Sequence, residues 1–370
     1  MKRIVLWGAT GYTGALVAEA LVGSGLPVTL AGRDAERLSR LRERLSGAAE
    51  WRVEVADASQ PGSVAALVDA DTVLVATVGP FTRFGWPAAQ AAAESGAAYI
   101  DCTGEPPFLR RVHDTLAVPS ARSGAMLAPA FGYDYVPGQV AAAYALRDAP
   151  EACGVRVGYF TSGRVGRTAA SGGTLASMAA IAAEPSYAWR DGQLRQERAA
   201  ARVLSMRVEG QARTGLSVGG AEHVFLPRTF PGLRTVDVYL GWAGSRSRWV
   251  QAFSAAAAPL TRMPGARRLV DWATRRLVRG STGGPSVADR SSVTSRAVAE
   301  ALDDEGAVLS RAELSGPNPY DLTAALLAAA AGRLCHERSA APVGVVGPLE
   351  LFGVQGMLDL AAEVGMRRTE

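Results

Sequence analysis

Three glycines within seven residues, Gly8-Ala9-Thr10-Gly11-Tyr12-Thr13-Gly14, form a stretch that could hold a phosphate. A pyrophosphate needs backbone N–H groups brought close with no Cβ in the way, and glycines at this spacing provide that. A helix starting directly behind the loop would add its free N–H groups and the positive end of its dipole. The spacing is GxxGxxG rather than GxGxxG, a variant common in NADP-dependent reductases. Further along, Tyr133-Asp134-Tyr135 sets two phenols and a carboxyl side by side. Hydride reduction needs a proton for the atom opposite the one that takes the hydride, and such groups can supply it. Ser171-Gly172-Gly173-Thr174 reads as a glycine turn opening a helix. Ser171 or Thr174 either caps that helix or the turn clamps an anionic or polar substrate.

Regular elements must position these groups. Ile4-Val5-Leu6-Trp7 reads as a buried strand and residues 15–21 as a helix with an apolar face, so the glycine loop sits in a strand–turn–helix crossover. Val28–Ala31 is the second strand, and the first charge past it is Arg33 rather than an acid. A guanidinium fork suits a 2′-phosphate, which favours NADP over NAD; Asp34, one residue on, is the group that could instead reach a ribose hydroxyl. Residues 35–47 read as an outer helix. The run 51–55 is a third strand, followed by Asp57, which lies beside the adenine or caps a helix at 61–69. Thr72–Ala76 is a fourth strand and opens into Thr77-Val78-Gly79-Pro80-Phe81 at the ligand-binding edge of the sheet. Helices at 87–95 and 107–117 alternate with strands at 98–101 and 125–129. The fifth strand ends in Cys102-Thr103-Gly104-Glu105, and the sixth leads into Tyr133-Asp134-Tyr135 before a helix near Pro137. This alternation predicts an α/β fold with a doubly wound parallel sheet. The cofactor-binding set is Gly8, Thr10, Gly11, Tyr12, Thr13, Gly14, Arg33, Asp57, Thr77, Val78, Gly79, Pro80 and Cys102. A tyrosine is the expected proton donor, with Asp134 tying down the following helix and Cys102, Glu105 or a water next in line.

From about residue 154 the pattern changes. Residues 155–160, 203–208 and 235–242 alternate as half-exposed strands of an antiparallel or mixed sheet with one wet face. Residues 246–279 carry eight arginines against one acid, Asp271. A helix there would put its apolar residues on one face, as a solvated surface helix or as one meeting a membrane or an acyl-carrier partner. The stretch from Pro342 to Gly356 reads as a Pro/Gly-rich loop before a last helix at 355–364.

Composition excludes several classes. The net charge of +4 is too mild and scattered for nucleic acid, and the three cysteines lie far apart with no metal-type spacing. Lys2 is the only lysine, so neither a Tyr-x-x-x-Lys pair nor a Schiff-base lysine is present. The start runs straight into a strand with no signal peptide, and no apolar run reaches membrane-spanning length. The cytoplasm is the expected location; membrane association is possible but not expected.

The chain resembles the saccharopine-dehydrogenase-like reductases, closest in layout to the branch with the trans-acting enoyl reductases. The matching residues are GATGYTG, AGR, ATVGPFTRFG, YIDCTGE, and GYDYVP where the family commonly has Gly-Phe-Asp-Ser-Val-Pro. SGGTLAS, GPSVADR, NPYDLTAALLAAAA and GPLELFG follow. Tyr133 and Tyr135 depart from the family's Phe and Ser. The resemblance implies a Rossmann domain of residues 1–135 plus about 335–370. It also implies an inserted α+β domain of 136–334, built on a mixed sheet, that serves substrate and dimerisation. A nicotinamide cofactor would lie in a cleft between the two. The implied activity is NADPH-dependent hydride delivery to a C=C or C=N bond of a small or carrier-bound substrate. The alternative is an NADP-binding sensor or scaffold without turnover. Acyl-phosphate reductases share the loop, but Cys102 lacks their surrounding signature.

Overall fold

The structure, a computed structural model, describes residues 2–163, 185–241, 247–261, 283–337 and 342–370. The chain divides into two units, Met1–Val136 with Pro319–Val364, and Pro137–Asn318 with Gly365–Glu370.

In the first unit, short apolar runs bounded by glycine and polar turns become β1 (Arg3–Trp7), β2 (Val28–Gly32), β3 (Arg52–Val55), β4 (Thr72–Ala76), β5 (Ala98–Asp101) and β6 (Met126–Ala128). Every residue of β2 and β4 is buried, as a parallel strand covered on both faces requires. Between the strands run α1 (Tyr12–Leu21), α2 (Ala35–Arg44), α3 (Pro61–Ala65), α4 (Phe81–Phe84), α5 (Trp86–Ser95) and α6 (Pro106–Ser123). Helix α6 continues beyond the expected end at 117. It passes through Pro119 and stops at Gly124, whose φ of 78° provides the left-handed cap. Helix α7 (Val136–Asp148) starts at the junction of the units.

The second unit contains β7 (Gly154–Gly163), β8 (Pro185–Arg190), β9 (Gln193–Arg198), β10 (Val203–Val208), β11 (Gln211–Ser217), α8 (Glu222–Thr229) and β12 (Thr235–Leu240). Next come α9 (Ser247–Thr261), α10 (Val287–Ser291), β13 (Val293–Leu302) and β14 (Val308–Gly316). The sheet is mixed: β12 pairs parallel with β7, while β13 pairs antiparallel with both β7 and β14. The expected wet face is only partly wet. Leu204, Met206 and Val208 of β10 pack with Phe160, Tyr239 and Val298 in an apolar cluster. Gly158 lies beneath it, where a Cβ would stand 2.7 Å from Cε2 of the buried Phe160 ring and 2.6 Å from Met206 Sδ.

The chain re-enters the first unit at Pro319, not near 335 as expected, because α11 (Pro319–Glu337) packs on α1. Tyr320 meets Tyr12 edge to face at 5.1 Å. The stretch expected as a loop holds β15 (Gly344–Val345), which pairs parallel with β6, and α12 (Pro348–Leu351). The seven strands then run β15-β6-β5-β4-β1-β2-β3, all parallel. After α13 (Gly353–Glu363), the last residues return to the second unit, where β16 (Arg367–Arg368) pairs with β14. The Arg-rich residues 262–279 and the loop Ser171, Gly172, Gly173 and Thr174 lie outside the described residues. Among those described, no helix is long and apolar enough to cross a membrane.

Candidate cofactor and active site

The glycine loop turns at the end of β1, and its three glycines have different jobs. Gly8 has φ of 93°, and a Cβ on it would lie 2.7 Å from Thr77 Oγ1 and 2.8 Å from Val78 Cγ2. A Cβ on Gly14 would lie 2.2 Å from the Gly8 carbonyl oxygen, so this glycine lets α1 sit against the turn. Gly11 is exposed and has an ordinary backbone, φ −73° and ψ 166°. A need for glycine here is therefore not set by backbone angle. The nearest atom to a Cβ there is the Gly8 oxygen at 3.2 Å. Gly11 is the N-cap of α1, and no side chain caps that end. A helix terminus without a side-chain cap, approached over a residue with no Cβ, fits a pyrophosphate. Thr10 and Thr13 flank this opening, half-buried, and Tyr12 is engaged with Tyr320.

At the end of β2, Arg33 is exposed, and its charge helps hold the Asp57 carboxyl below the usual range. The main cause of that lowering is the Ser59 N–H, which donates to Asp57 Oδ1 at 2.8 Å. Asp57 thus closes a local turn, and Gln60 is the N-cap of α3. Asp34, the acid that could have favoured NAD, accepts from Arg37 N at 3.0 Å and caps α2. The residue missed from sequence is Arg37. One turn into α2, its guanidinium reaches the Thr10 carbonyl at 3.5 Å, beside the glycine loop.

Three loops meet at the carboxyl edge of β4, β5 and β6. Thr77 donates from Oγ1 to the Trp7 and Gly8 carbonyls, at 3.2 Å each, and so fixes the glycine loop. Val78 walls Gly8, and Gly79-Pro80 is a cis peptide bond leading into α4. Glu105 accepts from Phe81 N at 2.7 Å, Thr82 N at 2.9 Å and Thr82 Oγ1 at 2.6 Å. It therefore joins the second loop to the first.

Asp101, fully buried, joins the second loop to the third. It accepts from Tyr99 Oη at 2.6 Å, Thr103 N at 2.8 Å and Ala130 N at 2.9 Å. Burial raises its carboxyl to about 6, and the hydrogen bonds from Tyr99, Ala130 and Thr103 oppose that rise. Cys102 sits against Gly132, and burial pushes its thiol up, helped by the Asp101 and Asp134 charges.

The third loop is a tight turn, not the extended segment expected. Tyr135 N and Val136 N both donate to the Gly132 carbonyl, at 3.3 and 3.0 Å. Alternation of side chains is therefore lost. Both tyrosines are 4% exposed, while Asp134 is less buried. Tyr133 N donates to Thr323 Oγ1 of α11 at 3.0 Å, and Tyr135 Oη donates to the Gly104 carbonyl at 3.2 Å. Burial raises the Tyr133 phenol far above its usual range, and the Asp134 charge adds to that. In the second unit, Gly138 N donates to Tyr159 Oη at 3.0 Å, and that phenol donates to buried Glu222. This anchors the start of α7, directly after the turn.

Residues 4–131 match the saccharopine dehydrogenase NADP binding domain. The first unit therefore carries an NADP-binding domain of that type, in line with the cofactor read from Arg33. A putative trans-acting enoyl reductase of Mycobacterium tuberculosis is 41% identical over 182 residues, 47% of this chain and 43% of that protein. A trans-acting enoyl reductase of Mycobacterium bovis is 44% identical over 137 residues, 36% of this chain and 33% of that protein. The matched region thus spans less than half the length of these relatives. The saccharopine dehydrogenase (L-Glu forming) of Saccharomyces cerevisiae shares the fold over 100% of both chains, with TM-score 0.60 and 10% identity.

Proposed function

We propose that the chain is an NADPH-dependent oxidoreductase that reduces a C=C bond, or failing that a C=N bond, of a small or carrier-bound substrate. The carrying observation is the glycine loop: an α1 terminus without a side-chain cap, open over Gly11 and flanked by Arg37, with Arg33 exposed at the end of β2. The names of the relatives favour C=C. When bound, the reduced nicotinamide supplies the hydride. The loop 8–14 and α1 hold the pyrophosphate; Arg33 and Arg37 take the 2′-phosphate, with Asp57 towards the adenine. Thr77, Val78, Gly79, Pro80 and Cys102 form the wall leading to the reacting end. The turn 131–136 then faces the acceptor and provides the proton.

NADPH should bind more tightly than NADH. Arg33→Ala should cost NADPH about 1.5–3 kcal/mol, the value of a hydrogen bond to a charged group, and leave NADH nearly unchanged. Fluorescence titration of both cofactors on the native and substituted proteins checks this; an unchanged preference removes Arg33 from the site. The activity itself is tested by NADPH consumption against enoyl thioesters and cyclic imines. Tight NADPH binding with no turnover on any acceptor would instead support a sensor or scaffold.

A further inference from the structure

We propose that the Asp134 carboxyl, rather than either neighbouring phenol, holds the proton delivered to the acceptor. This rests on the reductase reading above. The turn presses Asp134 onto the loop after β5 so closely that a Cβ on Gly104 would lie 2.4 Å from Asp134 Oδ2. Among the described residues, no hydrogen-bond donor and no cation meets this carboxylate. The titratable groups facing it are the Cys102 thiol and the Tyr133 phenol, with Asp101 and Glu105 on the same loop as Cys102. All of these are neutral or anionic at neutral pH. Nothing nearby therefore favours the ionised form, and burial raises the carboxyl to about 6. An acid near that value can both hold and release a proton around neutrality.

The other candidates are each committed elsewhere. Tyr135 spends its proton on the Gly104 carbonyl. The Tyr133 phenol and the Cys102 thiol are made weaker acids by burial. Glu105 is an acceptor for three donors in α4, and Asp101 is enclosed by its own three. Asp134 is the acid at this edge that is both partly exposed and unspent. In the step, its O–H bond breaks and a C–H (or N–H) bond forms at one atom of the acceptor double bond, whose other atom takes the hydride. The acceptor is reduced by two electrons, the nicotinamide is oxidised, and water reprotonates the carboxylate.

The test combines a titration with kinetics on the full chain. Protein labelled with 13C at aspartate side-chain carboxyls is titrated by NMR, and the resonance absent from Asp134→Asn identifies Asp134. Its midpoint is expected near 6. Turnover by Asp134→Asn should fall about 10²-fold or more, with NADPH affinity unchanged. Native turnover should decline as pH rises through the NMR midpoint, and Tyr135→Phe should keep that profile. A midpoint in the ordinary carboxylate range, or an Asp134→Asn variant with native rate and profile, overturns the proposal. If the native protein consumes no NADPH with any acceptor, the reductase reading itself fails, and the role of Asp134 fails with it. Gly104→Ala, which pushes a methyl into Asp134, should lower turnover without abolishing NADPH binding; native turnover in that variant also counts against the proposal.

Discussion

Gly14→Ala and Gly11→Ala should fail in opposite ways. The methyl added at Gly14 lands 2.2 Å from the Gly8 oxygen and 2.9 Å from Ala9 Cα, both backbone atoms that cannot swing aside. Helix α1 must then lift from the turn, taking with it Val17, Ala18 and Leu21, which are buried in the core. Overpacking of a rigid site costs about 1–3 kcal/mol, and a backbone overlap this deep belongs at or beyond the upper end. The variant should express poorly or melt well below the native protein. At Gly11 the same methyl meets the Gly8 oxygen at 3.2 Å, and the backbone needs no left-handed angle. A shift of a few tenths of an ångström relieves it, so the melting temperature should stay within about 4 °C, roughly 1 kcal/mol in a domain of this size. The methyl instead occupies the approach to the α1 terminus. Losing one or two charged hydrogen bonds there, at about 1.5–3 kcal/mol each, weakens NADPH by roughly 10-fold to about 10⁴-fold. Melting curves and NADPH titrations on both variants decide it. A Gly11 variant that still binds NADPH natively would show that the loop does not hold the pyrophosphate.

The contrast between these glycines marks what sequence could convey. Their spacing announced the loop, and the apolar runs around it announced β1, β2, β4 and β5 within a residue or so, because a strand buried on both faces must be continuously apolar. Which glycine answers to space and which to backbone angle depends on Thr77, Val78 and Gly8, neighbours that only folding assembles. The second unit was harder to read. Gln193–Arg198 is a strand with hardly an apolar residue, since β9 lies at the end of the hairpin with β8. Gly344–Val345 is too short to show any period, yet it completes the parallel sheet beside β6. The return point at Pro319 was hidden because α11 is defined by its packing on α1, roughly three hundred residues earlier in the chain. The turn at Tyr133-Asp134-Tyr135 was placed correctly at the end of β6. Its conformation differs from the extended loop expected, because a tight turn buries the two rings and leaves Asp134 less buried. The expectation that Asp134 stabilises α7 also changes, since among the described residues its side chain makes no capping bond.

Asp101→Ala should cause the largest loss of stability. Its carboxylate is the shared acceptor for Tyr99 Oη, Thr103 N and Ala130 N, all buried. Removing it strands three donors away from water, at about 1–3 kcal/mol each. Ala130 also sits at φ 63°, a left-handed angle that costs a non-glycine residue about 1–2 kcal/mol and persists here because Asp101 grips its N–H. A total of about 3–9 kcal/mol is expected for the first unit. Asp101→Asn, which keeps one acceptor oxygen, should lose less. The carboxyl also sets a pH dependence. Its folded value of about 6 lies above the ordinary 3.8, so folding favours its protonated form. This contribution to stability is full below about 4 and is lost as pH rises through 6. Asp134 behaves alike, whereas Asp69 and Asp114, held below the usual range, lose their contribution only as pH falls beneath 3.8. Urea unfolding of the native protein should therefore show greater stability at pH 5 than at pH 8, as judged from these groups, and Asp101→Asn should flatten that slope. A slope of the opposite sign that Asp101→Asn leaves untouched would mean that this carboxylate is ionised in the fold at no cost, with a cation or water supplying what burial removes.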